Sequence, residues 1–169
     1  RAFFSRRVSA LAVCAALGMP FAPAFADGVI DNGTVQLGIL DTGNLIVSTG
    51  IGLTYLPTSA EALAPGCWCE GWGIADLGVA GASFSRSQNN GNSGTGTATG
   101  VIGGTGTDGA SGGSSFLSTT DITVAGNPWA QVVQNFAPSG ATSNLYQVDV
   151  TITNVGGLPI TNLVFRRVM

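Results

Sequence analysis

The sequence predicts an all-β protein, built as an antiparallel β-sandwich. Three observations predict it: short runs of alternating apolar and polar residues, turn residues between these runs, and the lack of a long segment with a helical period. Alternation with a period of two places one face of a strand in a core and the other face in water. Many short strands separated by Gly, Asn and Pro are typical of a sandwich.

The clearest strand covers residues 145–153, whose apolar side chains alternate with Gln, Asp and Thr. A turn at 154–159 leads to a second run at 160–168, and the pair is expected to form a hairpin or a connection between two sheets. Another hairpin is expected around Asp41-Thr42-Gly43-Asn44, which has the composition of a turn. The strands expected upstream lie at 35–40, 45–47, 51–55, 116–124 and 129–136.

Two segments depart from this pattern. Thr58 and Glu61 have the spacing of a helix capping box, with alanine and leucine around Glu61, and Pro65-Gly66 would end the helical turn. Gly, Ser, Thr and Asn fill 23 of the 30 positions in residues 86–115. The few apolar side chains there would bury too little surface to offset the entropy lost when the segment becomes ordered. A loop with one short strand around Val101-Ile102 is expected, the alternative being flat polar strands on the solvent side.

The first 26 residues have the pattern of a secretory signal peptide. Three arginines precede a mostly apolar stretch at 8–21, and Ala24-Phe25-Ala26 is a cleavage motif that places the mature start at Asp27. A membrane anchor is the alternative, but the apolar stretch is shorter than the ~20 residues that a spanning helix needs. Lipidation at Cys14 is disfavoured because Val13 is too large for the position before a lipidated cysteine.

The composition excludes several function classes. The whole chain has 169 residues, no Lys and no His, so no histidine base and no Schiff-base lysine can be present in it. Residues 27–169 keep three arginines against nine acids, a formal net charge of −6. Such a chain lacks the positive footprint of a nucleic-acid binder and is repelled by anionic membranes. No membrane span beyond the signal peptide is expected, and the location expected is extracellular or the outer surface of a Gram-negative bacterium.

The ends of the chain suggest a portion of a longer protein. It begins at Arg1, and it stops at Met169 inside an apolar run with no turn after it. The expectation is a sandwich that is incomplete at its C-terminal edge, the alternative being a chain that simply ends there. An unpaired edge strand favours aggregation, so poor solubility is expected.

The most distinctive segment is Cys67-Trp68-Cys69-Glu70-Gly71-Trp72-Gly73. In an oxidising compartment Cys67 and Cys69 are expected to form a disulfide, although a C-x-C ring is strained. Free thiols or a bridge to another chain are the alternatives. A zinc site needs about four ligands and is not expected, since this segment offers only two cysteines. The simplest interpretation is a stapled loop whose tryptophans cover the edge of the sandwich.

A second interpretation makes Trp68, Trp72 and Tyr55 a flat aromatic platform for sugar rings. The partners expected for the chain as a whole are extracellular polysaccharide or other surface proteins. Asp27, Asp31 and Asp41 are the oxygen ligands available for calcium. The run Gly103-Gly104-Thr105-Gly106-Thr107-Asp108 matches a calcium-binding repeat, but a single copy cannot share ions with a neighbour.

Paired carboxylates can hydrolyse glycosides, and Glu70 and Asp76 are the acids nearest the tryptophans. Nothing in the sequence fixes the distance between them. No catalytic residue, metal or cofactor is therefore assigned.

Three sequence blocks resemble a family of exported bacterial proteins. These are residues 144–154, residues 163–169, and Leu56-Pro57-Thr58 leading into the Cys67–Gly73 segment. They are similar to uncharacterised proteins that carry a C-terminal PEP-CTERM sorting signal. The resemblance implies sorting by an exosortase-type system for a longer parent chain, because the Pro-Glu-Pro motif and its membrane helix are not in this sequence. It implies no catalytic residues.

The function expected is a non-enzymatic exported cell-surface or extracellular-matrix protein, structural or adhesive. The alternative is a glycan-binding module of a larger secreted protein, one attached to a hydrolase.

Overall fold

The computed structural model describes residues 28–63, 70–79, 82–87, 91–103 and 114–169. These residues contain β-strands and no helix, which confirms the prediction of an all-β protein. The twelve strands found in them are β1 (Gly28–Asp31), β2 (Val35–Ile39), β3 (Leu53–Tyr55), β4 (Ala60–Glu61), β5 (Gly71–Asp76), β6 (Ser83–Ser87), β7 (Gly91–Gly94), β8 (Gly96–Gly103), β9 (Phe116–Val124), β10 (Asn127–Pro138), β11 (Tyr146–Asn154) and β12 (Leu163–Val168).

The strands form three antiparallel sheets of four strands each. The first sheet has the order β1-β2-β3-β4, and the second sheet has the order β12-β5-β6-β7. The long-stranded sheet has the order β11-β10-β9-β8. The predicted sandwich has two sheets where these residues form three, so the sandwich itself stays a prediction.

One face of the long-stranded sheet packs against both of the other sheets. At one end Phe116 and Phe136 join a cluster with Ile30, Leu37 and Ile39 of the first sheet. At the other end the partners come from the second sheet, and this cluster contains Trp72, Ile74, Phe84, Ile122, Ala130 and Val132. The two hydrophobic clusters therefore leave a middle band of the long-stranded sheet between them.

The connections differ from the predicted hairpins. β2 pairs with β1 and β3, and the segment after the Asp41 turn is joined to it by a single bridge between Ile39 and Leu45. β11 pairs with β10, whereas β12 pairs with β5. The chain thus passes from the long-stranded sheet to the second sheet between β11 and β12, which is the alternative to a hairpin.

The described part of the Gly-rich segment 86–115 contains β7 and β8, where only one short strand around Val101-Ile102 is expected. β8 pairs with β9 over eight residues, from Gly96 opposite Val124 to Gly103 opposite Leu117. Its glycines allow close packing: a Cβ atom on Gly100 would lie 2.6 Å from the carbonyl carbon of Asp41. For residues 91–103 the predicted strand around Val101-Ile102 is too short, because the partner strand satisfies the backbone and glycine lets another segment approach. Residues 88–90 and 104–113 of the predicted loop lie outside the described residues.

The predicted helical turn at Thr58 and Glu61 is also wrong. The chain makes a turn at 56–59 and continues as β4. The Glu61 carboxylate accepts hydrogen bonds from the N–H groups of Gly52 (3.0 Å), Leu53 (2.9 Å) and Leu63 (2.8 Å), and from Thr54 Oγ1 (2.7 Å). These donors lie mainly on the neighbouring strand, so the carboxylate fastens a sheet edge and does not cap a helix.

Replacing Glu61 by Gln should destabilise the protein in a pH-dependent way. Burial acts to raise the pKa of Glu61, but the hydrogen bonds from Thr54 and the backbone outweigh it and lower the pKa from 4.5 to about 2. The stabilisation by the Glu61 carboxylate is present at pH values above its pKa in the unfolded chain. It is lost as the pH falls through the pKa of Glu61 in the folded protein. Because the side chain is half-exposed, solvent screening keeps the expected loss at pH 7 to about 1–2 kcal/mol.

Urea unfolding of the wild type and Glu61→Gln at neutral pH and near pH 2 measures this loss. The difference between them should shrink in acid. The exposed Asp149, which accepts a bond only from Gln147 in the same strand among the described contacts, gives the control Asp149→Asn. An equal Glu61→Gln effect at both pH values would contradict the account.

Candidate functional site: a buried polar centre

A buried polar layer lies between the two hydrophobic clusters. Its inward-facing members on β9 and β10 follow the same alternation as the apolar core residues, so the strand period places them there. The members of this layer are at most 5% exposed, and they are Asp41, Thr42, Asn44, Glu70, Ser118, Thr120 and Gln134. We call the Asp41–Asn44 turn, Glu70, Ser118, Gln134 and Arg167 the polar centre.

The backbone of the Asp41–Asn44 turn is held from two sheets. Ser118 Oγ, on the long-stranded sheet, donates to the carbonyl of Asp41 at 2.7 Å. From the second sheet, Trp72 Nε1 donates to the carbonyl of Thr42 at 2.8 Å, and Arg167 Nη2 donates to the carbonyl of Gly43 at 3.1 Å. Three consecutive carbonyl groups of one turn therefore join the sheets together.

Gly43 is required by this arrangement. Its φ is +76°, a left-handed conformation that side chains rarely adopt. A Cβ atom at this position would also lie 2.3 Å from Gln134 Nε2. The turn composition of Asp41-Thr42-Gly43-Asn44 therefore serves close packing in the interior as well as the reversal of the chain.

Arg167 and Glu70 form the charged part of the polar centre. Arg167 Nη2 lies 2.7 Å from Glu70 Oε1, and Arg167 Nη1 donates to Gln134 Oε1 at 2.7 Å. The other Glu70 oxygen accepts a hydrogen bond from the N–H of Leu45. The guanidinium also lies 5.4 Å from the centre of the Phe136 ring, within the range of a cation–π contact.

Burial raises the pKa of Glu70, and the charge of Arg167 together with the Leu45 N–H opposes that rise. Burial lowers the pKa of Arg167, while the charge of Glu70 opposes that change. The Glu70 side chain is fully buried and that of Arg167 is 12% exposed. Both oxygens of the Glu70 carboxylate therefore have partners inside the fold, Arg167 and the Leu45 N–H.

Part of the polar centre has no hydrogen-bond partner. Among the described residues, Asn44 Nδ2, Gln134 Nε2 and Arg167 Nε of the centre are buried without one, as is the neighbouring Thr120 Oγ1. An unpaired buried donor costs about 1–3 kcal/mol. The favourable terms of the centre are therefore the Arg167 contacts and the bonds to the turn carbonyls.

Trp72 does not lie on an aromatic platform. It is 2% exposed, and its ring packs between those of Phe84 and Phe165, with centroids 5.4 and 5.8 Å away. Burial leaves no ring face for a sugar, which corrects the prediction for this residue. Tyr55 is 40% exposed, on the first sheet. Trp68 lies outside the described residues, as do Cys67 and Cys69 with their predicted disulfide.

Glu70 and Asp76 are not a catalytic pair. Glu70 immediately precedes β5 and Asp76 ends it, so the rise of an extended strand separates them by about 20 Å. Glycosidase carboxyl groups lie roughly 5–10 Å apart. Asp76 accepts hydrogen bonds from the N–H groups of Gly78 (2.9 Å), Thr161 (3.1 Å) and Asn162 (3.0 Å). Burial acts to raise the pKa of Asp76, but these bonds outweigh it and lower the pKa.

The calcium candidates do not assemble in the part of the chain that is described. Asp31 accepts a hydrogen bond from the N–H of Gly33 in its own turn, and Asp41 lies in the polar centre. No group of three or more metal-binding side chains comes together within the described ranges. Asp27 and residues 104–108 of the calcium-repeat match lie outside them.

A surface groove that the sequence does not predict lies at the far end of the second sheet. It has a volume of about 390 Å³, and its lining includes Asn127, Pro128 and Trp129. Val79 and Leu158, which are 49% and 80% exposed, also line it. The groove can take a small apolar or ring-shaped group against the half-buried indole of Trp129.

Comparison with protein-family models gives no match, and comparisons with curated proteins and with solved structures give none either. Among the residues that the structure describes, no helix is long and apolar enough to cross a membrane. What the molecule does is therefore inferred from its own residues.

Proposed function

We propose that this chain is a non-enzymatic, exported cell-surface or matrix protein with a structural or adhesive role. The observation that carries the proposal is the use of its buried and half-buried carboxylates. Glu70 pairs with Arg167 and a backbone N–H, while Glu61 and Asp76 bind the backbone of neighbouring segments. Each of these carboxylates links one segment of the fold to another. Charged groups used in this way stabilise the fold, as expected of a structural protein.

The outer face of the long-stranded sheet supports an adhesive role. The side chains there are mostly hydroxyls and amides, and they bond across strands: Thr97 Oγ1 lies 2.7 Å from Thr123 Oγ1, and Gln131 Nε2 donates to Asp121 Oδ1 at 2.9 Å. A polar face with few charges attracts neither nucleic acid nor anionic lipid strongly. It suits hydrogen bonding to hydrated polymers or to other surface proteins.

Expression of the chain from its own coding sequence in a Gram-negative host tests whether the protein is exported. Cell fractionation and N-terminal sequencing should find the protein outside the cytoplasm with Asp27 as its first residue. Recovery in the cytoplasm with residues 1–26 attached would contradict it. Turnover of any substrate in a glycoside panel by the purified protein, lost in Glu70→Gln or Asp76→Asn variants that remain folded, would contradict the non-enzymatic part.

The second candidate function is a glycan-binding module, and the Trp129 groove is the observation that favours it. An indole beside an amide side chain is a combination that stacks on and hydrogen-bonds to a sugar ring. If this function holds, binding to an immobilised polysaccharide panel should be lost in Trp129→Ala and kept in Tyr55→Ala, which removes an exposed aromatic on another sheet. A panel without any binder would exclude the groove as a glycan site at the concentrations tested.

A further inference from the structure

The sheets differ in how their edges are protected. Within the described residues, β1, β4 and β7 are edge strands of only four, two and four residues. β8 is an edge strand of eight residues, and Thr95 just before it donates its N–H to the carbonyl of Ser83 on the second sheet. The other long edges are β11, with nine residues, and β12, with six. An edge strand carries unpaired backbone groups that can pair with another chain.

β12 has six residues and carries the exposed Arg166, and charge on an edge discourages pairing with a second copy. The next residue, Arg167, faces the interior and pairs with Glu70. β11 contains no Lys, Arg, Pro or Gly, and its single charge is Asp149. Its pairing with β10 runs without a bulge through nine residue pairs. Of the edges described, β11 is thus the longest.

We infer that β11 pairs antiparallel with β11 of a second copy of this chain, about a two-fold axis through Val150. In this register Val148 lies opposite Ile152, and Val150 lies opposite its own copy. The inward-facing side chains then meet inward-facing ones, as the alternation of a strand requires. The result is one continuous eight-stranded sheet, and the inference does not rest on the proposed function.

The charge on β11 selects this register. With the axis at Val150, Asp149 lies opposite Thr151 of the copy, and all nine residues are paired. An axis at Asp149 would place two carboxylates directly opposite each other, which is destabilising. An axis at Thr151 would leave Tyr146 and Gln147 unpaired. A two-fold axis that passes between two residues would place inward-facing side chains opposite outward-facing ones.

Exposure of the inward face of β11 also favours a second copy. Val150 points toward the interior side of its sheet, yet it is 37% exposed, whereas the equivalent inward residues of β10 are buried. A β-branched residue opposite its copy gains a cross-strand contact and loses solvent exposure. The neighbouring Val148 and Ile152 are half-buried and would gain the same kind of contact.

A cysteine at the axis tests the register directly. Directly opposite residues in an antiparallel pair have Cβ atoms about 4.5–5.5 Å apart, close to the separation in a disulfide. The exported full chain with Val150→Cys, oxidised at micromolar concentration, should give a disulfide between the introduced cysteines of two copies, which peptide mapping identifies. The control is Val164→Cys, at a residue that is also exposed but lies on β12. It should form no more disulfide-linked dimer than the wild type, which itself contains Cys67 and Cys69.

A link from the introduced cysteine to Cys67 or Cys69, or no more linkage than in the Val164→Cys control, would overturn the proposal. Sedimentation of the wild type should give twice the mass of one chain. Val150→Lys should give the mass of one chain with an unchanged far-UV circular dichroism spectrum, because a charge facing inward on an edge blocks pairing. Val164→Lys should keep the wild-type mass. A wild type that sediments as a monomer, or a Val150→Lys variant that remains a folded dimer, would also overturn it.

Discussion

Arg167→Met is expected to lower the free energy of unfolding by about 3–5 kcal/mol, because it leaves the Glu70 carboxylate buried without its cation. The same change removes the donors to the Gly43 carbonyl and to Gln134, so two sheets lose contacts at once. Chemical denaturation followed by tryptophan fluorescence and by circular dichroism measures the loss.

Arg166→Met is the matched control for this prediction. Arg166 is the neighbouring residue on the same strand and is exposed, so its replacement should change stability by less than about 0.5 kcal/mol. The double variant Glu70→Gln, Arg167→Met should recover part of the loss, since no unpaired charge is then buried. Equal effects of the two arginine variants would show that the ion pair does not hold the sheets together.

Trp72→Ala should cost about 3–5 kcal/mol, the range for removing a large aromatic side chain from a core. The indole fills the space between Phe84 and Phe165, and its N–H holds the Thr42 carbonyl. Trp72→Phe should cost less, because the ring contacts remain and chiefly the hydrogen bond is lost.

Tyr55→Ala gives the comparison with an exposed aromatic residue. It should change stability much less than Trp72→Ala, and thermal unfolding of the three variants ranks them. A Trp72→Ala protein as stable as Tyr55→Ala would contradict the assignment of Trp72 to the core. It would instead favour a surface position, which an aromatic platform for sugars requires.

The strands that the sequence predicts well are those with strong alternation. β9 and β11 are found within one residue of their predicted bounds, since apolar and polar side chains alternate along each of them. β8 was not predicted as a full strand because glycine and threonine carry little hydrophobic pattern, and its pairing with β9 is a tertiary effect. The capping-box spacing at Thr58 and Glu61 was misleading for the same reason: the donors for Glu61 come from the adjacent strand.

Only part of the polar centre can be predicted from the sequence. Gln134 follows Ala130 and Val132 at every second position and precedes Phe136, so alternation alone places it inward. Trp72 lies two residues before Ile74 on β5, and the same argument would have placed it in the core. No local pattern, however, joins Glu70 to Arg167, because their segments meet only when β12 pairs with β5.

We expect the charged and polar side chains of this protein to hold its three sheets together as one cooperative unit. Native-state hydrogen exchange can test this by comparing peptides from β2, β5 and β10 in the wild type and in Arg167→Met. The slowest amides in all three strands should open with the same free energy in the wild type, and Arg167→Met should lower that free energy equally in all three. Faster exchange confined to β12 and β5, with β2 and β10 unchanged, would contradict it.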